Sequence, residues 1–291
     1  MRSSASNAAS ISTFVLTACV KAGRPAVPRR RQTPSDRDMP ENDPRLVKIF
    51  YEVQSGLPRQ GPGNRDSTLR ALGLCTNLPS EPAVLDVGCG PGMQTMALAQ
   101  ATGGRIIAAD NCDEYLAQLR QRLEAASGSE RVEVRQADMT TMSFADESFD
   151  LIWSEGAAYV MGVERALAAW RPLLKKGGYL AFSELVWLDL DPPEEVAEFF
   201  GREYPAMKGV DANLALIRDA GYEPRGDFTL PEEAWWDDYY APLEEKLPAL
   251  RHKYENDEQA LGVIAMTEAE IRMRREFGAS YGYQIFVAQR E

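Results

Sequence analysis

The stretch Val84-Leu85-Asp86-Val87-Gly88-Cys89-Gly90-Pro91-Gly92 decides how this 291-residue chain folds. A short apolar run feeds a glycine-dense turn, and helical spacing follows at once, with Met93, Met96, Ala97 and Ala101 expected on one face. A strand–turn–helix of this kind offers a ligand bare backbone N–H groups at a helix N-terminus. Glycine lets that ligand approach where a Cβ would stand in the way. The spacing is G-x-G-x-G. A dinucleotide fingerprint needs its third glycine at position 93, which holds Met93, so an oxidoreductase is disfavoured. The Gly-Lys-Ser/Thr of a phosphate-binding loop is absent as well. Asp86, just ahead of the turn, is a poor neighbour for a phosphate and a good one for a partly cationic ligand.

On either side of that stretch the pattern is regular. Asp43 caps an expected helix, Pro44 suits its first position, and Leu46, Ile49, Phe50 and Val53 repeat at helical spacing. Leu57-Pro58-Arg59-Gln60-Gly61-Pro62-Gly63 is a loop by composition, and a second helix is expected over residues 67–75. Strands are then expected at residues 83–87, 105–109, 131–135, 149–153 and 179–185. Between them come a helix from Gly92 and a helix from Asp113, with Leu116, Leu119 and Leu123 turned inward. A third helix, over 162–174, is expected to close with Lys175, Lys176 and a Gly177-Gly178 cap. This alternation predicts a doubly wound α/β fold with a mostly parallel, seven-stranded sheet covered by helices on both faces. After a helix near 212–220 and a strand near 223–230, a polar helical block precedes a closing strand at 283–288. An insert of about 50 residues is too long for a hairpin loop and is expected to form a helical lid over about 231–280.

Composition bounds the function. The apolar fraction of 44% supports a sizeable core. The net charge is −12, but residues 1–38 hold seven basic and two acidic side chains, a surplus of five, so the rest carries −17. A body that acidic repels nucleic acid and anionic membrane, and suits small neutral or cationic substrates. Cys19, Cys75, Cys89 and Cys112 are scattered, the pattern of reduced thiols in a cytoplasm, and His252 is the only histidine, so no metal site is expected. In residues 1–38 the mildly apolar run 11–20 is too short to span a bilayer. Leu16-Thr17-Ala18-Cys19 resembles a lipoprotein box, and the Arg/Ser richness resembles a transit peptide. A disordered extension, or translation starting at Met39, is the favoured reading. The domain proper is expected over 39–291.

In an open α/β sheet, ligands sit outside the carboxyl ends of the strands. Four successive strands end there on an acid: Asp86, Asp110, Asp138 and Glu155. At this point the chain resembles the class I S-adenosylmethionine-dependent methyltransferases, from about Leu46 onward. The motifs that carry the resemblance are residues 85–92, Ala109-Asp110, Gln136-Ala137-Asp138-Met139, Phe149-Asp150-Leu151-Ile152-Trp153 and Leu174-Lys175-Lys176-Gly177-Gly178. A narrower likeness, to a little-characterised bacterial group near the ubiquinone/menaquinone methyltransferase branch, rests on residues 57–63 and on Trp153-Ser154-Glu155-Gly156-Ala157-Ala158-Tyr159.

The resemblance implies roles for these residues. Asp86 with Gly88, Cys89, Gly90 and Gly92 would hold the methionine end of S-adenosylmethionine, and Asp110 would take the ribose hydroxyls. Asp138 would accept from the adenine amino group, Met139 beside Asn111 would pack near the ring, and Glu155 would face both cofactor and substrate. Glu155 and Tyr159 are the candidate catalytic residues. Arg59, Glu184, Trp187, Trp236 and Tyr240 are candidates for the acceptor side, together with Trp235, Asp237 and Tyr239. Aromatics beside acids attract cations, so the expected acceptor is a small amine. Ordinary packing explains the 235–240 cluster equally well. Arg59 is expected to meet the cofactor carboxylate or a substrate anion, and a solvated loop arginine explains it equally well. A homodimer is among the expected assemblies. The competing functions are an RNA or protein methyltransferase and a non-catalytic S-adenosylmethionine-binding protein.

Overall fold

A computed structural model describes residues 43–126 and 128–291; the readings of residues 1–38 lie outside the described residues. These residues divide into two compact units. The larger comprises Leu57–Leu190, Lys208–Pro242 and Tyr281–Glu291. Its elements begin with α2 (Arg65–Gly73), β1 (Ala83–Val87), α3 (Met93–Ala101), β2 (Arg105–Asp110), α4 (Asp113–Glu124) and β3 (Val132–Gln136). They continue with β4 (Phe149–Ser154), α5 (Val163–Trp170), β5 (Leu174–Trp187), β6 (Lys208–Gly209), α7 (Val210–Asp219) and β7 (Tyr222–Thr229). The short helix α8 (Glu233–Trp235), a π-helical turn (Trp236–Tyr240) and the last strand, β8 (Tyr281–Arg290), complete it.

The sheet runs β3-β2-β1-β4-β5-β8-β7, with β6 pairing β5. Pairings from β3 through β5 are parallel, and β8 is antiparallel to both β5 and β7. The expected doubly wound sheet is therefore present, with the two-residue β6 as an eighth strand. Its faces separate by the two-residue period of a strand. Leu85 and Val87 join Ile152, Phe182 and Phe286 beneath α5 and α7. Val84 joins Ile106, Leu151, Trp153 and Val287 beneath α2 and α3. Leu116, Leu119 and Leu123 of α4 turn inward onto Cys89 and Ala108.

Three local expectations are corrected. Helix α5 stops at Trp170 and passes through a tight turn, Arg171–Leu173, rather than running to 174. Pro172 has no N–H to continue the ladder, Leu174 pairs with Phe149, and Lys175 Nζ bonds the Asp150 carboxylate at 2.8 Å along the strand. Strand β5 runs on to Trp187 instead of ending at 185, because β8 runs far enough to pair Trp187 with Tyr281. Finally, α3 does not present one apolar face. Gln94 and Thr95 are buried along with Ala97, Leu98 and Ala99, while Ala101 is exposed.

The smaller unit holds α1 (Pro44–Gln54), Asp191–Met207 with α6 (Glu194–Glu203), and Leu243–Ser280 with most of α9 (Ala241–Lys253) and all of α10 (Glu258–Phe277). As expected, Asp43 caps α1, accepting from Arg45 N–H at 2.9 Å, and Leu46, Ile49, Phe50 and Val53 are buried. Lys246 Nζ closes the other end of α1, donating to the carbonyls of Glu52, Val53 and Ser55 at 2.5–2.9 Å. The expected 231–280 insert is thus divided: Pro231–Pro242 belongs to the larger unit and Leu243–Ser280 to the smaller. Among the described residues no helix is long and apolar enough to cross a membrane.

Two glycines separate packing from propensity. A Cβ on Gly104 would fall 1.8 Å from the Pro82 carbonyl oxygen, a backbone atom that no rotamer change can move. Gly201 lies in α6 with nothing within 4 Å of that position. Gly104→Ala is expected to destabilise by at least about 2 kcal/mol, while Gly201→Ala stabilises by roughly 0.5–1 kcal/mol, both read from chemical denaturation.

Candidate cofactor and acceptor site

Strands β1 and β2 end side by side, Val87 opposite Ala109. The glycine turn consequently folds onto its neighbour. Gly88 and Cys89 N–H both donate to the Ala109 carbonyl, at 2.8 and 3.0 Å. Gly90 N–H donates to Asp110 Oδ2 at 2.9 Å, and Gly92 N–H to the Cys89 carbonyl at 3.0 Å. The donors of Gly88, Cys89, Gly90 and Gly92 are thus spent within the fold, so the turn itself meets a ligand by shape. Gly88, Gly90 and Gly92 have φ of +70°, +52° and +86°. A Cβ at Gly88 would lie 2.3 Å from Ala157 Cβ, and one at Gly92 2.2 Å from Leu119 Cδ1. At Gly90 the nearest atom would be Gln60 Cγ, 4.0 Å away, so this is the open side of the turn.

The strand ends bring the expected acids to one rim. Asp86 is 0% exposed; its Oδ2 accepts from Thr95 Oγ1 at 2.5 Å and its Oδ1 lies 3.5 Å from Gln94 Nε2. This is why two polar residues of α3 are buried. Burial pushes the Asp86 carboxyl up to about 7, and the nearby charges of Glu155 and Asp110 push the same way. Asp110 is raised too, by desolvation, against hydrogen bonds from Cys112 N–H to Oδ1 and Gly90 N–H to Oδ2. Asp138 turns onto its own loop, its Oδ1 accepting from Thr140 N–H at 2.8 Å and Thr140 Oγ1 at 2.7 Å. Met139 Cε would lie 3.5 Å from a Cβ at Gly88, which puts this side chain over the turn. Asn111 is exposed, and its carbonyl accepts from Gln136 Nε2.

Glu155 is the most heavily bonded carboxylate of the rim. Its Oε1 accepts from Trp153 Nε1 at 2.9 Å and Thr68 Oγ1 at 2.6 Å, and its Oε2 from Arg59 Nη1 at 2.7 Å. Both partners of that ion pair are buried, with side chains 5% and 8% exposed. Arg59 is therefore no solvated loop residue. Its loop is held from two sides. Arg122 of α4 donates to the carbonyls of Pro58 at 3.0 Å and Pro91 at 2.6 Å, and the backbone N–H groups of Arg59 and Gly63 donate to the carbonyls of Asp238 and Ala234. Sequence reasoning missed Thr68, Thr95 and Arg122. Their only signal is a place on a helix next to the loop or turn that each one braces.

The acceptor-side candidates are only partly gathered here. Tyr159 is half-buried on a turn, Ala158–Val160, four residues past Glu155. Tyr240 is sealed among Trp235, Trp236 and Tyr239, with ring centroids 4.8–6.0 Å apart, and Trp235 also meets Tyr281 and Tyr283. Trp236 is half-buried and donates from Nε1 to Glu232 at 2.7 Å. Glu184 is buried in β5, its Oε1 accepting from Leu185 N–H at 3.1 Å. Among the described residues no group of three or more His, Cys, Asp or Glu side chains could hold a metal ion.

Comparison with known proteins agrees with this fold. Residues 84–178 match the family model described as a methyltransferase domain. The fold is that of the class I S-adenosylmethionine-dependent methyltransferases. A Geobacter sulfurreducens S-adenosylmethionine-dependent methyltransferase, solved with S-adenosylhomocysteine, superposes with a TM-score of 0.72 at 22% identity over 84% of this chain and 98% of that one. Methyltransferase GfsG of Streptomyces halstedii is 33% identical over 146 residues, 48% of this chain and 52% of that protein. The chain thus spans about half the length of that curated relative. The 27-O-demethylrifamycin SV methyltransferase of Amycolatopsis mediterranei is 24% identical over 71% of this chain and 76% of its own.

A raised carboxyl binds its proton more tightly folded than unfolded, so Asp86 weakens the fold as pH climbs from 3.8 to about 7 and costs a constant amount above that. Asp86→Asn keeps an acceptor for Thr95 and removes the titration. Measured by thermal unfolding without ligand, the variant is expected to gain stability over wild type at pH 8 by a few kcal/mol. That gain is expected to vanish near pH 4.

Proposed function

We propose that this protein is an S-adenosylmethionine-dependent methyltransferase acting on a small-molecule acceptor. One observation carries the reading: three carboxylates, Asp110, Asp86 and Glu155, stand at adjoining strand ends around a glycine turn whose Gly90 side is open. Two of them are held above their ordinary pKa by burial, and the third adds to the repulsion felt by Asp86. Such a rim is relieved by a ligand that brings positive charge and hydroxyl donors. S-adenosylmethionine, with a sulfonium, an ammonium and a ribose diol, meets that demand; a dinucleotide with its pyrophosphate does not.

The cofactor supplies a methyl group already activated on sulfur, so the protein's part is alignment and exclusion of water. Asp86 and the turn would hold the amino-acid end, Asp110 the ribose, and Asp138 with Met139 and Asn111 the base. Glu155 already accepts from three donors, so in this reading it holds the floor of the acceptor side, while Tyr159 is the side chain placed to touch the acceptor. An amine acceptor is the finer reading, supported by the half-buried indole of Trp236, which is next in sequence to the acids Asp237 and Asp238. The small-molecule class is supported by the relative named for 27-O-demethylrifamycin SV.

Calorimetry with S-adenosylhomocysteine tests the cofactor assignment. Asp110→Ala is expected to lose about 2–4 kcal/mol of binding, two hydrogen bonds to a charged group. Unchanged affinity would remove Asp110 from the site. Binding of S-adenosylmethionine with no methylated product, over a metabolite extract, would instead favour a non-catalytic role.

A further inference from the structure

We infer that Arg59 is a carboxylate receptor: the side-on edge of its guanidinium, Nε with Nη2, takes a carboxylate of the bound ligands. The inference rests on the S-adenosylmethionine reading above and adds to it the anionic end of the site.

The guanidinium is almost wholly shut from water, yet among the described residues only Nη1 is hydrogen-bonded, to Glu155 at 2.7 Å. Nε and Nη2 are both buried and find no hydrogen-bond partner among the described residues. Buried donors are nearly always bonded, so two orphans on one edge of one group call for an occupant. Nε–H and an Nη2–H point the same way and form a fork that matches the two oxygens of a carboxylate. Asp238 also faces this edge, its Oδ2 3.8 Å from Nε, too far for a hydrogen bond. What this corner of the site has left over is a pair of donors without an acceptor.

The arginine is also held in place. Glu155 is fixed by Thr68 and Trp153, and Arg122 ties the Arg59 loop to the glycine turn at Pro91. A Cβ at Gly63 would lie 2.8 Å from Arg59 Nη1, so glycine there is what lets the pair close. Strand β4 adjoins β1, with Trp153 opposite Asp86, and Glu155 lies two residues beyond. Arg59 therefore stands on the side of the turn away from Asp110, where the reading above puts the amino-acid end of the cofactor and the acceptor. Either could supply the carboxylate.

The test uses S-adenosylhomocysteine and its carboxamide, in which a neutral amide replaces the carboxylate, titrated into wild type and Arg59→Gln. It adds labelled methyl donor incubated with a metabolite extract, the products identified by mass. If the cofactor is the source, wild type prefers the carboxylate form by about ten- to a hundredfold, and Arg59→Gln erases that preference while still binding the carboxamide. If the acceptor is the source, wild type binds both forms alike, its methylated products carry a carboxylate, and Arg59→Gln fails to make them. The comparisons within wild type hold even if the variant folds poorly. No preference together with no carboxylate-bearing product overturns the inference, as does a preference that survives in Arg59→Gln. If wild type binds neither nucleoside, the methyltransferase reading itself fails and this inference falls with it, a result distinct from binding both equally.

Discussion

A carboxylate closed off from water has to be hydrogen-bonded, neutralised by a proton or matched by a cation, and Asp86 is closed off completely. Thr95 and Gln94 supply part of the first remedy, and they do so from a helix whose other buried positions, Ala97, Leu98 and Ala99, are apolar. The remainder is left to the proton or to a ligand. Because Asp110 and Glu155 end the neighbouring strands, the same demand is spread along the carboxyl edge of the sheet. The polarity of the site is therefore a property of the sheet's strand order before it is a property of any one side chain.

The glycine turn shows how backbone economy shapes such a site. Its amides are satisfied by Ala109, by Cys89 and by the side chain of Asp110, so the loop stands without a ligand. Asp110 is in consequence both brace and contact: one oxygen secures Gly90 and the other secures Cys112 at the start of α4. Arg122, further along α4, reaches back to the carbonyls of Pro58 and Pro91. A chain segment that composition marks only as a loop is in this way fixed against the turn.

Most of the architecture was legible because it follows from short-range rules. Apolar runs of five or six residues ending on acids, separated by helices with inward leucines, admit few arrangements other than a parallel sheet. What escaped were features set by partners far away in sequence. The extent of β5 depends on β8, about a hundred residues later. The burial of Gln94 and Thr95 depends on a carboxylate, which no apolar period can register. Helix α6 went unread, although Pro193 precedes it and two acids open it. At the site, the acids and glycines were visible as a series. The Arg59–Glu155 pair was not, since pairing across 96 residues leaves no local pattern.

The place of β8 bears on how the chain assembles. Residues 281–290 lie inside the sheet, between β5 and β7, and β7 has no other hydrogen-bonded strand among the described residues. During synthesis β7 must wait, its edge uncovered, until some fifty further residues have emerged. The five parallel strands are complete in the chain early, but closure of the larger unit is a late event, because the helices between β7 and β8 are made before the strand that completes it.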